Sequence, residues 1–260
     1  MSLEESFRVL QDDPSPFFLE GGRVGALLLH GFSGTPREMW RLGEYVHARG
    51  ITAHAPLLPG HGSTLAQMNR YGWRDWAAGT VSAYEQLALR CDQVVVVGFS
   101  LGTLLTLWLA AHYAEIKGIV LCAPALRVAD WRLHLTPLVR HFVQSLEKKE
   151  PSDLHDPGAE AWLGGFVRYP IPAAAEILAL QRRVKRLLPR VKAPVLVVYS
   201  AGDRSIHPRS GPETVKRLSK YGEIDTLVLT DSGHAVVADK EWEEVAKATY
   251  AFIQRVAPVA

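Results

Sequence analysis

The sequence predicts an α/β fold, with a mostly parallel central sheet flanked by helices and interrupted by a small helical insertion. Three observations carry that class. Apolar runs without a polar face, Val94-Val95-Val96-Val97 the plainest, read as strands buried on both sides. Segments with helical apolar spacing and no internal proline alternate with those runs, as βα units require. Glycine-bearing turns at Gly31 and Gly98 end two of the runs, where the chain must turn sharply at the edge of a sheet.

The bulk properties bound the function. A chain of 260 residues buries a large core as one α/β domain. At 48% hydrophobic and 22% charged, the composition excludes disorder and a membrane class. A net charge of +2 with scattered basic residues leaves no nucleic-acid footprint, and the basic cluster at 181–186 reads as a solvated helix face. Met1-Ser2-Leu3-Glu4-Glu5-Ser6 is acidic and lacks the regions of a signal peptide, and no apolar run has the length of a membrane span. Cys91 and Cys122 have neither metal-ligand nor disulfide spacing. The expectation is a cytoplasmic protein with reduced thiols, no integral membrane segment, no nucleic-acid partner, no metal and no cofactor.

Asp12-Asp13-Pro14-Ser15-Pro16 is turn-rich, and Phe17-Phe18-Leu19 follows as a short edge strand. The run at 24–30 is the next strand, ending in His30-Gly31-Phe32-Ser33-Gly34-Thr35-Pro36. Backbone N–H groups at such a carboxyl end are free to meet a ligand, and the Phe32 N–H is assigned as one oxyanion donor. His30 is a rival general base, or a structural ring that fixes this loop by a hydrogen bond. Pro36 opens a helix that runs to about residue 49 before Gly50 stops it. A strand at 51–57 leads into Leu58-Pro59-Gly60-His61-Gly62-Ser63, in which His61 reads as a loop anchor. The helix opened by Trp73 carries Trp76, Val81, Tyr84, Leu87 and Ala88 as one apolar stripe.

The run at 94–97 then enters Gly98-Phe99-Ser100-Leu101-Gly102 and a helix over 101–114. Gly98 and Gly102 flank a serine at a strand-to-helix junction, where a strained turn needs small neighbours and leaves the hydroxyl exposed above the sheet. Ser100 is the candidate nucleophile, against a plain helix-capping serine, and the Leu101 N–H is the second oxyanion donor. The strand at 117–123 is closed by Pro124. Residues 126–172 then hold helical fragments, prolines and a charged stretch without another buried strand. That excursion reads as a cap over the serine. Trp131, Leu135, Leu138, Phe142, Trp162, Leu163 and Phe166 would line an acyl pocket or form the cap's own core.

A helix over 177–191 returns to the sheet, and a strand at 194–199 is followed by Asp203. An aspartate just past a buried strand is placed to accept from an imidazole and hold its tautomer, or to make an Asx turn. The last strand, 224–230, enters Asp231-Ser232-Gly233-His234. His234 is the candidate base, Asp231 a rival to Asp203 as its acid, and a helix over 241–256 closes the fold. The order Ser100, Asp203, His234 is the order expected when the serine sits on an elbow.

The stretches Leu27-Leu28-Leu29-His30-Gly31-Phe32-Ser33-Gly34-Thr35-Pro36, Ala55-Pro56-Leu57-Leu58-Pro59-Gly60-His61-Gly62, Gly98-Phe99-Ser100-Leu101-Gly102, Asp203-Arg204-Ser205-Ile206-His207-Pro208 and Ser232-Gly233-His234 together resemble the α/β-hydrolase superfamily. Within it they resemble small bacterial carboxylesterases and monoacylglycerol lipases. The resemblance implies an α/β-hydrolase core at 1–124 and 173–260, a cap at 125–172, and hydrolysis of a small-molecule ester. It also implies a triad of Ser100, Asp203 and His234 with the Phe32 and Leu101 amides as oxyanion hole. The chain departs from that pattern at Thr103, where many relatives carry a further glycine, and throughout the cap.

The reading favoured is a serine carboxylesterase for short- to medium-chain acyl esters. Monoacylglycerols or thioesters would use the same machinery, and a catalytically silent binding protein on the same fold is the alternative from another class. A metal-dependent hydrolase would need a ligand cluster that the sequence lacks.

Overall fold

A computed structural model describes residues 7–8, 15–129, 131–148, 153–163, 165–166 and 168–258. Its centre is a seven-stranded sheet. The strands are β1 (Phe17–Leu19), β2 (Val24–Leu29), β3 (Thr52–Ala55), β4 (Gln93–Phe99), β5 (Gly118–Cys122), β6 (Val195–Ser200) and β7 (Ile224–Leu229). In space they run β7-β6-β5-β4-β2-β3-β1. Every neighbouring pair is parallel except β1 with β3, so the aromatic edge strand expected at Phe17 is the one antiparallel member.

The apolar runs are strands because both of their faces are covered. All six residues of β2 are buried, and in β4 only Gln93 is not. On one face Gly25 meets Leu87 and Cys91, at the end of α2 (Trp73–Ala88). Leu28, an odd number of residues further on, meets the other face at Gly43 of α1 (Trp40–His47). The helices α3 (Leu101–Ala110) and α4 (Ile171–Leu187) pack with α2. On the opposite face α6 (Trp242–Val256) packs with α1. A further helix, α5 (Ser210–Leu218), lies against β6.

Several boundaries differ from the sequence-based expectation. The helix expected from Pro36 begins as a 3-10 turn, Pro36–Met39, and becomes α-helical only at Trp40. Gly50 ends it as expected, with φ +86° in the left-handed region that glycine favours. The serine helix stops at Ala110, not 114, and His112 Nδ1 donates to the Trp108 carbonyl at 2.6 Å. The return helix α4 starts at Ile171, six residues before 177, because Pro172 sits in its first turn, where no amide donor is needed. It therefore begins inside the stretch assigned to the cap.

Between β5 and β6 the described chain forms the short helices Thr136–Val139 and Pro157–Trp162 and a partly exposed pair of strands, Ser145–Glu147 with Arg168–Pro170. Gly165–Phe166 pairs with Phe7–Arg8. Of the apolar residues expected to line an acyl pocket or form the cap's own core, Leu138 and Phe142 are 72% and 87% exposed, and Leu163 packs on the main core. The side chains of Trp131, Trp162 and Phe166 lie outside the described ones. Among the described residues no helix is long and apolar enough to cross a membrane.

Leu28 is fully buried between the sheet and α1. Leu28→Ala is expected to lower stability by about 2–5 kcal/mol, read as a shifted midpoint in denaturant unfolding at unchanged slope.

Candidate active site

The carboxyl edge of the sheet carries the backbone strain. Among the described residues three non-glycines have positive φ, namely Ser33 after β2, Ser100 after β4 and Ala123 after β5. Ser100 holds φ +51° and ψ −112° between strand and helix, a conformation that costs about 1–3 kcal/mol and survives only where neighbours impose it. Its amide donates to the Cys122 carbonyl at 2.9 Å, and its own carbonyl accepts from the Thr103 amide at 3.0 Å and the Thr103 hydroxyl at 2.6 Å. A Cβ on Gly98 would run into the Gly102 carbonyl, and one on Gly102 into the Leu29 carbonyl. Both glycines of the motif are thus required by contact, and Gly102 lets the start of α3 rest on the end of β2.

Thr103, where the family pattern suggests a glycine, is fully buried and fully used. Its hydroxyl donates to Ser100 and accepts from the Ala125 amide at 3.1 Å, tying the turn after β5 to the elbow.

The loop after β2 is fixed from both sides. His30 is fully buried, its Nδ1 donates to the Gly31 carbonyl at 2.9 Å, and its Nε2 accepts from the Leu58 amide at 3.1 Å. With both nitrogens engaged by backbone and no carboxylate at hand, burial pushes its pKa down to about 4. His30 is therefore a neutral structural ring, and the rival base reading fails. The Gly31 amide donates to Glu38 Oε2 at 2.7 Å. Burial pushes the Glu38 carboxyl up to about 7, against that hydrogen bond and the charges of His234 and Lys148. Sequence reasoning missed Glu38, although Thr35 and Glu38 have the spacing of a capping box. Among the described residues neither the Phe32 amide nor the Leu101 amide has a hydrogen-bond acceptor. His61 is buried, with Nδ1 3.3 Å from the Pro59 carbonyl and its ring against Trp76 and Phe32.

The structure brings Ser100, His234 and Asp203 into one line. His234 Nε2 lies 2.9 Å from Ser100 Oγ, and His234 Nδ1 lies 2.8 Å from Asp203 Oδ2. Asp203 Oδ1 accepts from the Ser205 and Ile206 amides at 2.9 and 3.0 Å, so the Asx turn and the imidazole contact are made by two oxygens of one buried carboxylate. Burial alone would lower the His234 pKa. The charge and hydrogen bond of Asp203, with Asp153 and Glu38 behind it, outweigh burial and raise it above the ordinary value. Asp231 takes no part in this line. Its exposed carboxylate pairs with His155 and Lys240, which corrects its reading as a rival acid.

The Asp203 and His234 loops are tied together below this line. The Ser200 hydroxyl donates to the Ser232 carbonyl and accepts from the Gly202 amide at 3.0 Å. Asp153 and the fully buried Asp239, neither singled out from sequence, accept backbone amides of the histidine loop. A hydroxyl bonded to an imidazole whose far nitrogen faces a buried carboxylate can lose its proton to that ring as it attacks an electrophile. Among the described residues no three His, Cys, Asp or Glu side chains are grouped to hold a metal ion.

The sequence profile of the alpha/beta hydrolase family matches residues 26–248. The thermostable monoacylglycerol lipase of Bacillus sp. (strain H-257) is 30% identical, over 91% of this chain and 92% of that protein. The carboxylesterase of Bacillus subtilis (strain 168) is 29% identical, over 93% of this chain and 97% of that one. A solved structure from the metagenome-derived lipolytic pair LipS and LipT superposes with a TM-score of 0.84 at 29% identity, over 93% of this chain and 98% of that chain.

Thr103→Val keeps the shape of the side chain but strands the Ala125 amide. It is expected to cost about 1–3 kcal/mol in denaturant unfolding, and an unchanged midpoint would mean that the hydroxyl does not hold the elbow.

Proposed function

The chain belongs to the alpha/beta hydrolase family, and from that premise we propose that it is a serine carboxylic-ester hydrolase working through an acyl-enzyme. What carries the reading is the unbroken hydrogen-bonded line from Ser100 through His234 to Asp203. Ser100 Oγ attacks the ester carbonyl while His234 Nε2 takes its proton. Asp203 holds the Nδ1–H tautomer and supports the imidazolium. The Phe32 and Leu101 amides donate to the oxyanion. His234 then protonates the departing alcohol, and the acyl group stays on Ser100. Water, deprotonated by the same ring, attacks that acyl ester, and collapse of the second oxyanion releases the acid and restores Ser100.

The segment 125–172 is assigned as a cap. Its support is position, since Arg127, Asp153 and His155 bond to the loops and helix that follow β6 and β7. Short- to medium-chain acyl esters are the proposed substrates. Monoacylglycerols are the second reading, favoured by the name of the Bacillus sp. relative. A cytoplasmic location is proposed on the two buried free thiols, Cys91 and Cys122.

Ser100→Ala is expected to lower turnover of a nitrophenyl ester about a million-fold while the protein stays folded. Covalent labelling by a fluorophosphonate should vanish in the same variant. Retained turnover would overturn the reading, and a folded wild type that neither turns over nor labels would make it a binding protein. A series of acyl lengths, set against monoacylglycerols, ranks the two substrate readings.

The pH dependence has a definite sign. Protonated His234 cannot take the serine proton, so kcat/KM falls as pH drops through its pKa. Because that pKa is raised, the midpoint of this limb is expected above about 6.5, the ordinary histidine value.

A further inference from the structure

Residues 153–156, from the segment between β5 and β6, form a strap bound to the site by carboxylates. Asp153 Oδ2 accepts the His234 amide at 3.1 Å and the Arg204 amide at 2.9 Å, one from each loop that carries a member of the hydrogen-bonded line. The strap itself is pinned by Asp239, which is fully buried. Asp239 accepts the His155 and Asp156 amides at 2.9 and 2.8 Å and the Gly233 amide at 2.6 Å. Gly233 lets the strap approach, because a Cβ there would overlap the Asp153 carbonyl.

We propose that Asp153 is a positioning residue for the reaction, setting the spacing between the Asp203 and His234 loops and adding a second negative charge to the imidazolium formed as Ser100 attacks. The inference rests on the reading of the site given above. It makes the segment between β5 and β6 part of the acid–base machinery as well as a cover. One side-chain oxygen shared by two main-chain amides resists any change in the distance between the loops, and a displacement of about 1 Å at such a site costs about a hundredfold in rate. Charged groups act on His234 from three elements: Asp203 after β6, Asp153 on the strap and Glu38 after β2. Removing the Asp153 charge destabilises the imidazolium and lowers the His234 pKa, so the acid limb of kcat/KM moves to lower pH.

The experiment compares Asp153→Ala and Asp153→Asn with wild type in kcat, KM and pH profile on one nitrophenyl ester, each after a check of folding by circular dichroism. Asp153→Ala is expected to lose about a hundredfold in kcat with a smaller change in KM. Asp153→Asn keeps an acceptor oxygen, so it should recover most of that kcat while its acid limb moves down by about half a unit or more. A scaffold role would lower stability without moving the limb. An unmoved limb in Asp153→Asn, kcat within twofold of wild type in a folded Asp153→Ala, or failure of both variants to fold would each overturn the proposal. Retained turnover in Ser100→Ala would instead overturn the site itself. A dead Ser100→Ala beside an unaffected Asp153 pair removes this inference alone.

Discussion

The carboxyl edge of the sheet depends on one close approach, the first turn of α3 against the end of β2. Gly102 lies against the carbonyls of Leu29 and His30, where any side chain would collide with backbone. That contact sets where Leu101 stands relative to Phe32, and so whether two unpaired amides can serve one ligand atom. It also obliges the chain to turn through an unfavourable φ at Ser100, since β4 must end and α3 begin within one residue. Close packing and strain therefore have a single origin, and the buried valines of β4 and the leucines of α3 hold both in place.

Two histidines at this edge show how environment divides one residue type between two tasks. His30 spends both ring nitrogens on backbone groups, meets no carboxylate, and is held neutral. His234 is 17% exposed and still largely desolvated, yet it faces Asp203 directly with Asp153 and Glu38 behind, and burial is outweighed. The difference lies in whether a carboxylate shares the low-dielectric space, because an uncompensated charge there is far more costly than a paired one. A neutral ring suits a loop fixed once and for all. A ring that accepts a proton and returns it needs its charged form supported.

How much was legible in the sequence follows the same physics. The strands at Val24–Leu29 and Gln93–Phe99 announce themselves because burial on both faces demands unbroken apolar runs, and the flanking glycines of Ser100 because sterics demand them. Asp203 and His234 were readable as residues just past predicted strands. Asp153 and Asp239 were not, because a carboxylate that accepts main-chain amides leaves no periodicity, and Glu38 carried only the spacing of a capping box, whereas it accepts the Gly31 amide instead. Asp153 meets His234 across 81 positions and Asp239 meets Gly233 across six, and neither spacing belongs to a local motif. The start of α4 at Ile171 was misplaced because a proline that opens a helix looks, without the backbone, like one that ends a segment. Leu138 and Phe142 were read as facing a pocket or a cap core on hydrophobicity alone, and a four-residue helix and the turn after it carry no signal for which side faces solvent.

Thr103 shows how a departure from the family pattern can strengthen an argument about geometry. A glycine at that position would leave the Ser100 carbonyl to the Thr103-position amide alone and the Ala125 amide without its hydroxyl acceptor. The threonine, fully buried, serves both groups with one hydroxyl. It then joins the turn after β4 to the turn after β5, the point at which the chain leaves the sheet for the segment that carries Asp153. From that departure point to the strap, the segment is attached to the site at both of its reaches by polar contacts with fixed directions. Hydrogen bonds of this kind specify distance and angle, whereas apolar contact specifies only proximity. The proposed base, which must meet a hydroxyl on one side and a carboxylate on the other, depends on the former.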